Sequence, residues 1–346
     1  MISSLTIART LAAVFLILLS SPMFGGSVWA QQLKIATIAP QDSIWANRFD
    51  QFKEAVLNGT DGAVNFKIYY GGVMGDDRSM YRKVRIGQLQ GAGMTVTGLS
   101  EIVPDFRVLS IPLLFVDYKE VDAVSHALLP LFQKKFKENG LELLALTEVG
   151  FVYTMSSQPL AEAADLKKAK AWIPDGDPLS LSFLQQAGVT PLPLSIADVL
   201  TSLETGLIDT VFSSYYGAIV LQWFTKTRYV SDIPFGYAYG GLVLDGKVFQ
   251  RISQKDREII RQQADHFFGS LLLEDTRKSN DEALDTLKKN GITVMQSDEQ
   301  SRKTYRKWSD AVVSEARGKL FSEEVYDQTE KALTAYREKE QMSKKD

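Results

Sequence analysis

The sequence contains no cysteine and only two histidines among 346 residues. The first absence excludes disulfide staples, thiolate metal sites, cysteine nucleophiles and a lipid carried on an N-terminal cysteine. The second leaves His126 and His266 far apart within helical patterns, without partners at the spacing of a metal centre or a general base. Gly-x-Ser-x-Gly, phosphate-loop and dinucleotide fingerprints are missing too. Asp76-Asp77 and Asp175-Gly176-Asp177 do not continue into a calcium loop with its closing bidentate acid, so they read as turns. No metal, no cofactor and no enzymatic reaction is expected. Net charge is also slight: 39 basic against 42 acidic residues leave −3, which supplies no footprint for nucleic acid or anionic lipid.

A long apolar run occurs only near the start, where residues 11–19 (LAAVFLILL) follow Arg9 and precede Val28-Trp29-Ala30. The run is shorter than the roughly 20 apolar residues that span a bilayer. Its Val-x-Ala ending fits a signal-peptidase site. Residues 1–30 are therefore expected to be a signal peptide cleaved after Ala30, with the mature protein in the periplasm. What remains is long enough for one large or two medium domains with ordinary buried cores.

Alternation over 33–39, ending at Pro40, predicts a strand. Trp45, Phe49, Phe52 and Val56 at helical spacing predict a helix after it. A second strand over 65–70 stops at Gly71-Gly72, and an amphipathic helix runs from Asp77 to Gly87. This β–α–β–α start predicts a largely parallel sheet. A small-residue strand is expected over 89–97, where glycines let another group approach the backbone. A helix over 118–139 leads to extended segments at 141–146 and 151–156, joined through Glu148-Val149-Gly150 as a crossing between two lobes. A second α/β set follows: strand 171–174, helix 178–187, strand 190–194, a helix over 196–205 opened by Ser195, and strand 207–212. The aromatic, glycine-bearing stretch 234–244 suits a return crossing. Residues 253–290 read as one long helix containing Gly269, and the charged tail beyond 296 is helical.

Several stretches resemble the substrate-binding subunits of TRAP (tripartite ATP-independent periplasmic) transporters of the dicarboxylate-binding DctP type. They are Gly71-Gly72-Val73-Met74-Gly75-Asp76, Val103-Pro104-Asp105-Phe106 with Ile111-Pro112-Leu113-Leu114-Phe115, and Pro191-Leu192-Pro193-Leu194-Ser195-Ile196-Ala197-Asp198-Val199 leading to Glu204-Thr205-Gly206-Leu207-Ile208-Asp209. They fall in the family's order over almost the whole mature chain. The resemblance implies a two-lobed α/β periplasmic binding protein fold, with hinge strands and a long helix joining lobes that close over a ligand. Lobe I is expected over 31–147 with 236–280, lobe II over 148–235 with 281–337, and a flexible tail over 338–346. The implied role is a solute receptor for TRAP membrane subunits, with a ligand-sensing protein as the alternative.

The sequence departs from the family where the ligand is gripped. The family's K-x-R-V-P strand supplies an arginine that pairs bidentately with a ligand carboxylate. Here that strand reads Lys170-Ala171-Trp172-Ile173-Pro174, with Trp172 in the arginine's place. A second arginine is replaced by Val152, and the family's asparagine corresponds to Ser213. An apolar floor makes a bare carboxylate costly there, so the expected ligand is apolar or aromatic, with hydroxyls met by Ser213, Ser214, Tyr215 or Tyr216. The competing reading keeps Trp172 in the core and brings Arg78, Arg82 or Arg107 into the cleft to hold an ordinary organic or keto acid. Phe151 and Tyr153 alternate on one strand and share a face that is either cleft or core. Trp45 stands at the first strand's end, where open α/β sheets bind ligands. Thr95 and Thr97 are expected to line the first lobe's wall, and Tyr237 the return crossing. The Gly176-Asp177-Pro178 turn resembles a subgroup associated with hydrophobic ligands and a helical-repeat periplasmic partner.

Overall fold

The computed structural model describes residues 31–343, so the expected signal peptide and its cleavage site lie outside the described residues. β1 (Gln31–Thr37) points Leu33 and Ile35 into the core by simple alternation. α1 (Ile44–Gly59) begins at Ser43, whose side chain accepts the Ala46 N–H, and buries Phe49, Phe52 and Val56 on one stripe. β2 (Val64–Tyr69), α2 (Asp77–Arg85) and β3 (Gly91–Thr95) follow. β1 pairs in parallel with β2 on one side and β3 on the other, as the β–α–β–α pattern predicted. Phe52 stacks on Phe66 at 5.1 Å and tilts against Phe268 at 5.2 Å, which closes the sheet's outer face.

The expected strand over 89–97 ends early. Thr95 offers both its backbone N–H and its hydroxyl to the Asp77 carboxylate, so the ladder stops and α3 (Val96–Ile102) begins. Thr97 is therefore helical. α4 (Tyr118–Glu138), capped by Asp117, returns the chain to β4 (Leu141–Ser156).

The second lobe starts with β5 (Trp172–Pro174), α5 (Pro178–Gln186), β6 (Leu192–Leu194), α6 (Ile196–Glu204), β7 (Thr210–Ser213) and α7 (Tyr215–Val220). β5 and β6 form a parallel pair that faces Trp172 toward Leu192 in register. Two local readings shift. Ser195 precedes α6, but its hydroxyl donates to Asp198 at 2.6 Å instead of accepting a backbone N–H. The strand expected at 207–212 begins only at Thr210, because Gly206 turns left-handed at φ 70° and the Asp209 N–H bonds Lys170 O.

β8 (Tyr229–Asp245) carries the chain back. The strand order is β2-β1-β3-β8-β4-β7, with β9 (Thr293–Met295) beside β8. β4 and β8 pair antiparallel along nearly their whole lengths. One end of this ribbon joins β3 in the first lobe, and the other joins β7 and β9 in the second. The two expected crossings are thus a single paired ribbon.

After α8 (Gly246–Arg251), the expected long helix is divided. α9 (Gln254–Ala264) passes through a π-helical turn over Asp265–Leu271 into α10 (Leu272–Lys289). α10 lies against α7, α1 and β4, so it touches both lobes and the ribbon. α11 (Glu299–Ala316) and α12 (Glu323–Ser343) finish the chain. α12 packs on α4, burying Val325, Thr329 and Leu333, and its helix continues to Ser343. Among the described residues no helix is long and apolar enough to cross a membrane.

Candidate functional site

A cavity of about 850 Å³ lies between the lobes. The first lobe contributes the C-terminal ends of β1 and β3 and the glycine loop after β2. The second contributes the ends of β5, β6 and β7, and β8 supplies the wall between them. Ligands of open α/β sheets collect outside strand C-termini for the same topological reason. Among the described residues no cluster of His, Asp or Glu is arranged to hold a metal.

The structure brings Trp45, Thr95, Thr97, Trp172, Ser213, Ser214 and Tyr237 to the cavity's edge. Trp45 donates its indole N–H to Glu148 O at 3.1 Å and tilts against Tyr216 at 5.2 Å. Trp172 borders the cavity, yet it is only 3% exposed. Its ring meets Trp223 edge-on at 5.1 Å, its N–H reaches Leu194 O at 3.0 Å, and Met155 and Val199 belong to the same core cluster. The indole thus joins the second lobe's core to the cavity wall. Ser214 caps α7 by accepting the Gly217 N–H at 3.1 Å, and Ser213 is buried beside it. Tyr237 is also mostly core, with its ring against Phe115, Tyr118 and Phe151.

Phe151, Tyr153, Tyr215 and Tyr216 lie off the lining. Phe151 packs on Tyr118 and Tyr237, at 5.2 and 4.9 Å. Tyr153 stacks flat on Tyr215 at 4.1 Å. The Tyr216 hydroxyl accepts the Ile44 N–H at 3.1 Å, which ties α7 to the start of α1. Register shifts at Glu148/Gly150 and Val152/Tyr153 break the simple alternation of β4. As a result Thr147, Val149 and Val152 face the cavity instead.

The hinge ribbon is braced at its Glu148/Gly150 bulge. The Arg277 guanidinium grips both carboxylate oxygens of Glu148, at 3.0 and 2.9 Å, and also bonds Asp122 of α4. The Glu148 side chain is buried, and this pairing satisfies its carboxylate oxygens. Arg277 in turn lies over the Tyr118 ring, 4.6 Å from its centre.

Of the three arginines weighed for the cleft, only Arg78 reaches the lining, and among the described residues it is the only cationic side chain there. Its Nε bonds Glu101 on α3, and its Nη1 lies 3.0 Å from Asp175, just beyond β5. Arg82 turns back to Ser79 on its own helix. Arg107 is half-buried outside the lining, where desolvation pulls its proton affinity down. Asp76, Asp77, Glu101, Asp175, Asp177 and Asp198 also border the cavity. The Asp77 carboxyl is pushed up to about 6 by burial, against the hydrogen bonds from Thr95 that hold it down. On sequence alone Asp76-Asp77 and Asp175-Gly176-Asp177 read as turns, and no pattern singles out Glu101. Asp76 and Asp177 do act as caps, for α2 and α5.

The family model for bacterial extracellular solute-binding protein family 7, DctP, matches residues 35–319. The chain belongs to the DctP family. It is therefore a TRAP-type periplasmic solute-binding receptor and not an enzyme. This DctP-family chain is 24% identical over 278 residues to the 2,3-diketo-L-gulonate-binding periplasmic protein YiaO of Escherichia coli, covering 78% of this chain and 82% of that protein. It is 22% identical over 243 residues to the ectoine-binding periplasmic protein TeaA of Halomonas elongata, covering 68% and 70% of the two chains. Its fold is similar to that of the sugar acid binding protein DctPAm from Advenella mimigardefordensis in complex with galactonate. That comparison has a TM-score of 0.83 at 20% identity, over 89% of this chain and 99% of that one.

Proposed function

We propose that this DctP-family receptor captures a small ligand with a largely apolar or aromatic body and presents it to TRAP membrane subunits. The single observation that carries this reading is that, among the described residues, no cation on the cavity lining is left without a carboxylate partner. Trp172 and Val152 border it at the two places where the family resemblance implies arginines, and Arg78 is engaged by two carboxylates. A ligand carboxylate would meet the indole wall and several acids, and the guanidinium on the described lining is already shared by two of those acids. The wall suits an uncharged ligand, with Thr95, Thr97, Ser213 and Ser214 supplying hydrogen bonds where it carries hydroxyls.

The same proposal divides the chain between the lobes. Lobe I is 31–147 with 236–280 and lobe II is 148–235 with 281–337. The signal peptide ends at Ala30, and a helical-repeat periplasmic protein is the further partner. A second reading, an ordinary organic or sugar acid as ligand, draws support from relatives whose names carry 2,3-diketo-L-gulonate and galactonate.

Native mass spectrometry of protein purified from its source, followed by extraction of the bound molecule, separates the two. An uncharged or aromatic compound is expected, and recovery of a sugar acid or dicarboxylate would refute the apolar reading.

A further inference from the structure

Three partly exposed side chains on the cavity lining meet one another, two from the first lobe and one from the second. Arg78 lies on α2 of the first lobe and pairs with Glu101 of α3, its neighbour in the same lobe. The same guanidinium crosses to Asp175 of the second lobe at 3.0 Å. The turn that presents Asp175 is shaped for this approach. Gly176 is left-handed at φ 87°, and a side chain there would press within 3.1 Å of both the Arg78 guanidinium and the Glu101 carboxylate.

We infer that Arg78, shared between Glu101 and Asp175, is a latch across the cleft mouth that also withholds from anionic ligands the one cation that the described residues place on the lining. This deepens the receptor reading above and rests on it. An anion entering the cavity has one guanidinium to seek, and that group is already committed to two charge-assisted hydrogen bonds. Nη2 keeps its donors, so it is a bidentate grip on a carboxylate through the Nη1–Nη2 edge that requires Arg78 to leave Asp175, which parts the lobes at their rim and lets water in. A neutral ligand leaves the latch intact and is enclosed. Selectivity against acids therefore follows from closure itself, because gripping an acid opens the mouth.

The partners are half-exposed, with side-chain exposures of 48% for Arg78 and 50% for Asp175, so the latch is weak and sensitive to salt. An exposed pair of this kind shifts an open-to-closed ratio by up to about fivefold. Cysteines introduced at the exposed positions Val73 and Leu181, in a chain that has none of its own, accept a donor and acceptor dye pair for single-molecule distance measurement.

In the ligand-free full-length mature protein, Asp175→Asn is expected to move the population toward the open distance by up to about fivefold at low salt. The difference should vanish near 1 M salt, where screening acts within about 3 Å. Benzoate serves as the anionic probe. Glu101→Gln with Asp175→Asn is expected to bind it at least about threefold more tightly than the unaltered protein, because Arg78 is then free. Distances that ignore both Asp175→Asn and salt would overturn the latch. Benzoate held equally well by both proteins would overturn its role in selectivity. Recovery of an acid from the native protein refutes the apolar-ligand reading by itself, whereas the dye distances judge the latch whatever the ligand is.

Discussion

The side-chain amide of Asn280 donates to Val149 O at 3.0 Å, in the space that a side chain on Gly150 would occupy. Its oxygen accepts the Tyr216 N–H at 3.1 Å, so one residue of α10 fastens the hinge ribbon to the start of α7. Gly150 is left-handed at φ 111°, and an added Cβ would stand 2.7 Å from the Asn280 amide. Gly150→Ala is expected to destabilise the protein by about 2 kcal/mol through strain and displacement of that amide. Urea unfolding of the two proteins measures it, and equal midpoints would contradict the assignment.

Removing Arg277 strands a buried charge. Arg277→Met leaves the Glu148 carboxylate without its bidentate partner and is expected to cost about 3 kcal/mol. Adding Glu148→Gln should recover much of the loss, since the orphaned charge is then gone. A double-mutant cycle by denaturant unfolding reads both numbers, and additive losses would show that the pair is not coupled.

Trp172 should report on stability and ligand together. Its indole is wedged between Trp223 and the β6 carbonyl of Leu194. Trp172→Ala is therefore expected to cost about 3 to 5 kcal/mol in folding and about 2 kcal/mol in affinity for the ligand recovered by extraction. Trp172→Phe keeps much of the core and isolates the second effect. Calorimetric titration that shows unchanged affinity would place the ring outside the recognition surface.

Asp77 predicts a pH dependence. Its carboxyl is harder to ionise in the folded protein than in the unfolded chain, rising from 3.8 to about 6. The folded state thus binds the proton more tightly, and stability falls as pH rises through that interval and stays reduced above it. Asp77→Asn removes the ionisation. Its stability relative to the parent should improve by roughly 1 to 2 kcal/mol between pH 4 and pH 7. Thermal melts across that range would show a constant offset if Asp77 titrated normally.

Much of the architecture was legible because it is local. The β–α–β–α opening and the two extended crossings follow from periodicity and turn residues within short windows, whereas the pairing of those crossings joins distant segments and does not. The candidate site was legible only in part. Trp172 was found through the family resemblance of its strand, but its burial depends on Trp223, which arrives from a separate turn. Phe151 and Tyr153 were assigned a shared face, and register shifts in β4 defeated that period-two reasoning by turning Val152 to the cavity. Arg78 was one of three arginines under consideration, while its partner Asp175 lies 97 residues away, beyond the reach of any spacing rule.

The ribbon of β4 and β8 has a mechanical consequence. Its backbone hydrogen bonds run side by side along one long seam. A pull that slides one strand lengthwise past the other loads many of these bonds at once, whereas a rotation about the bulge at Glu148 and Gly150 loads very few. The molecule is stiff against being stretched and compliant against being wrung. Thermal agitation will therefore express itself as torsion, with the far tips of the lobes travelling while the seam stays zipped.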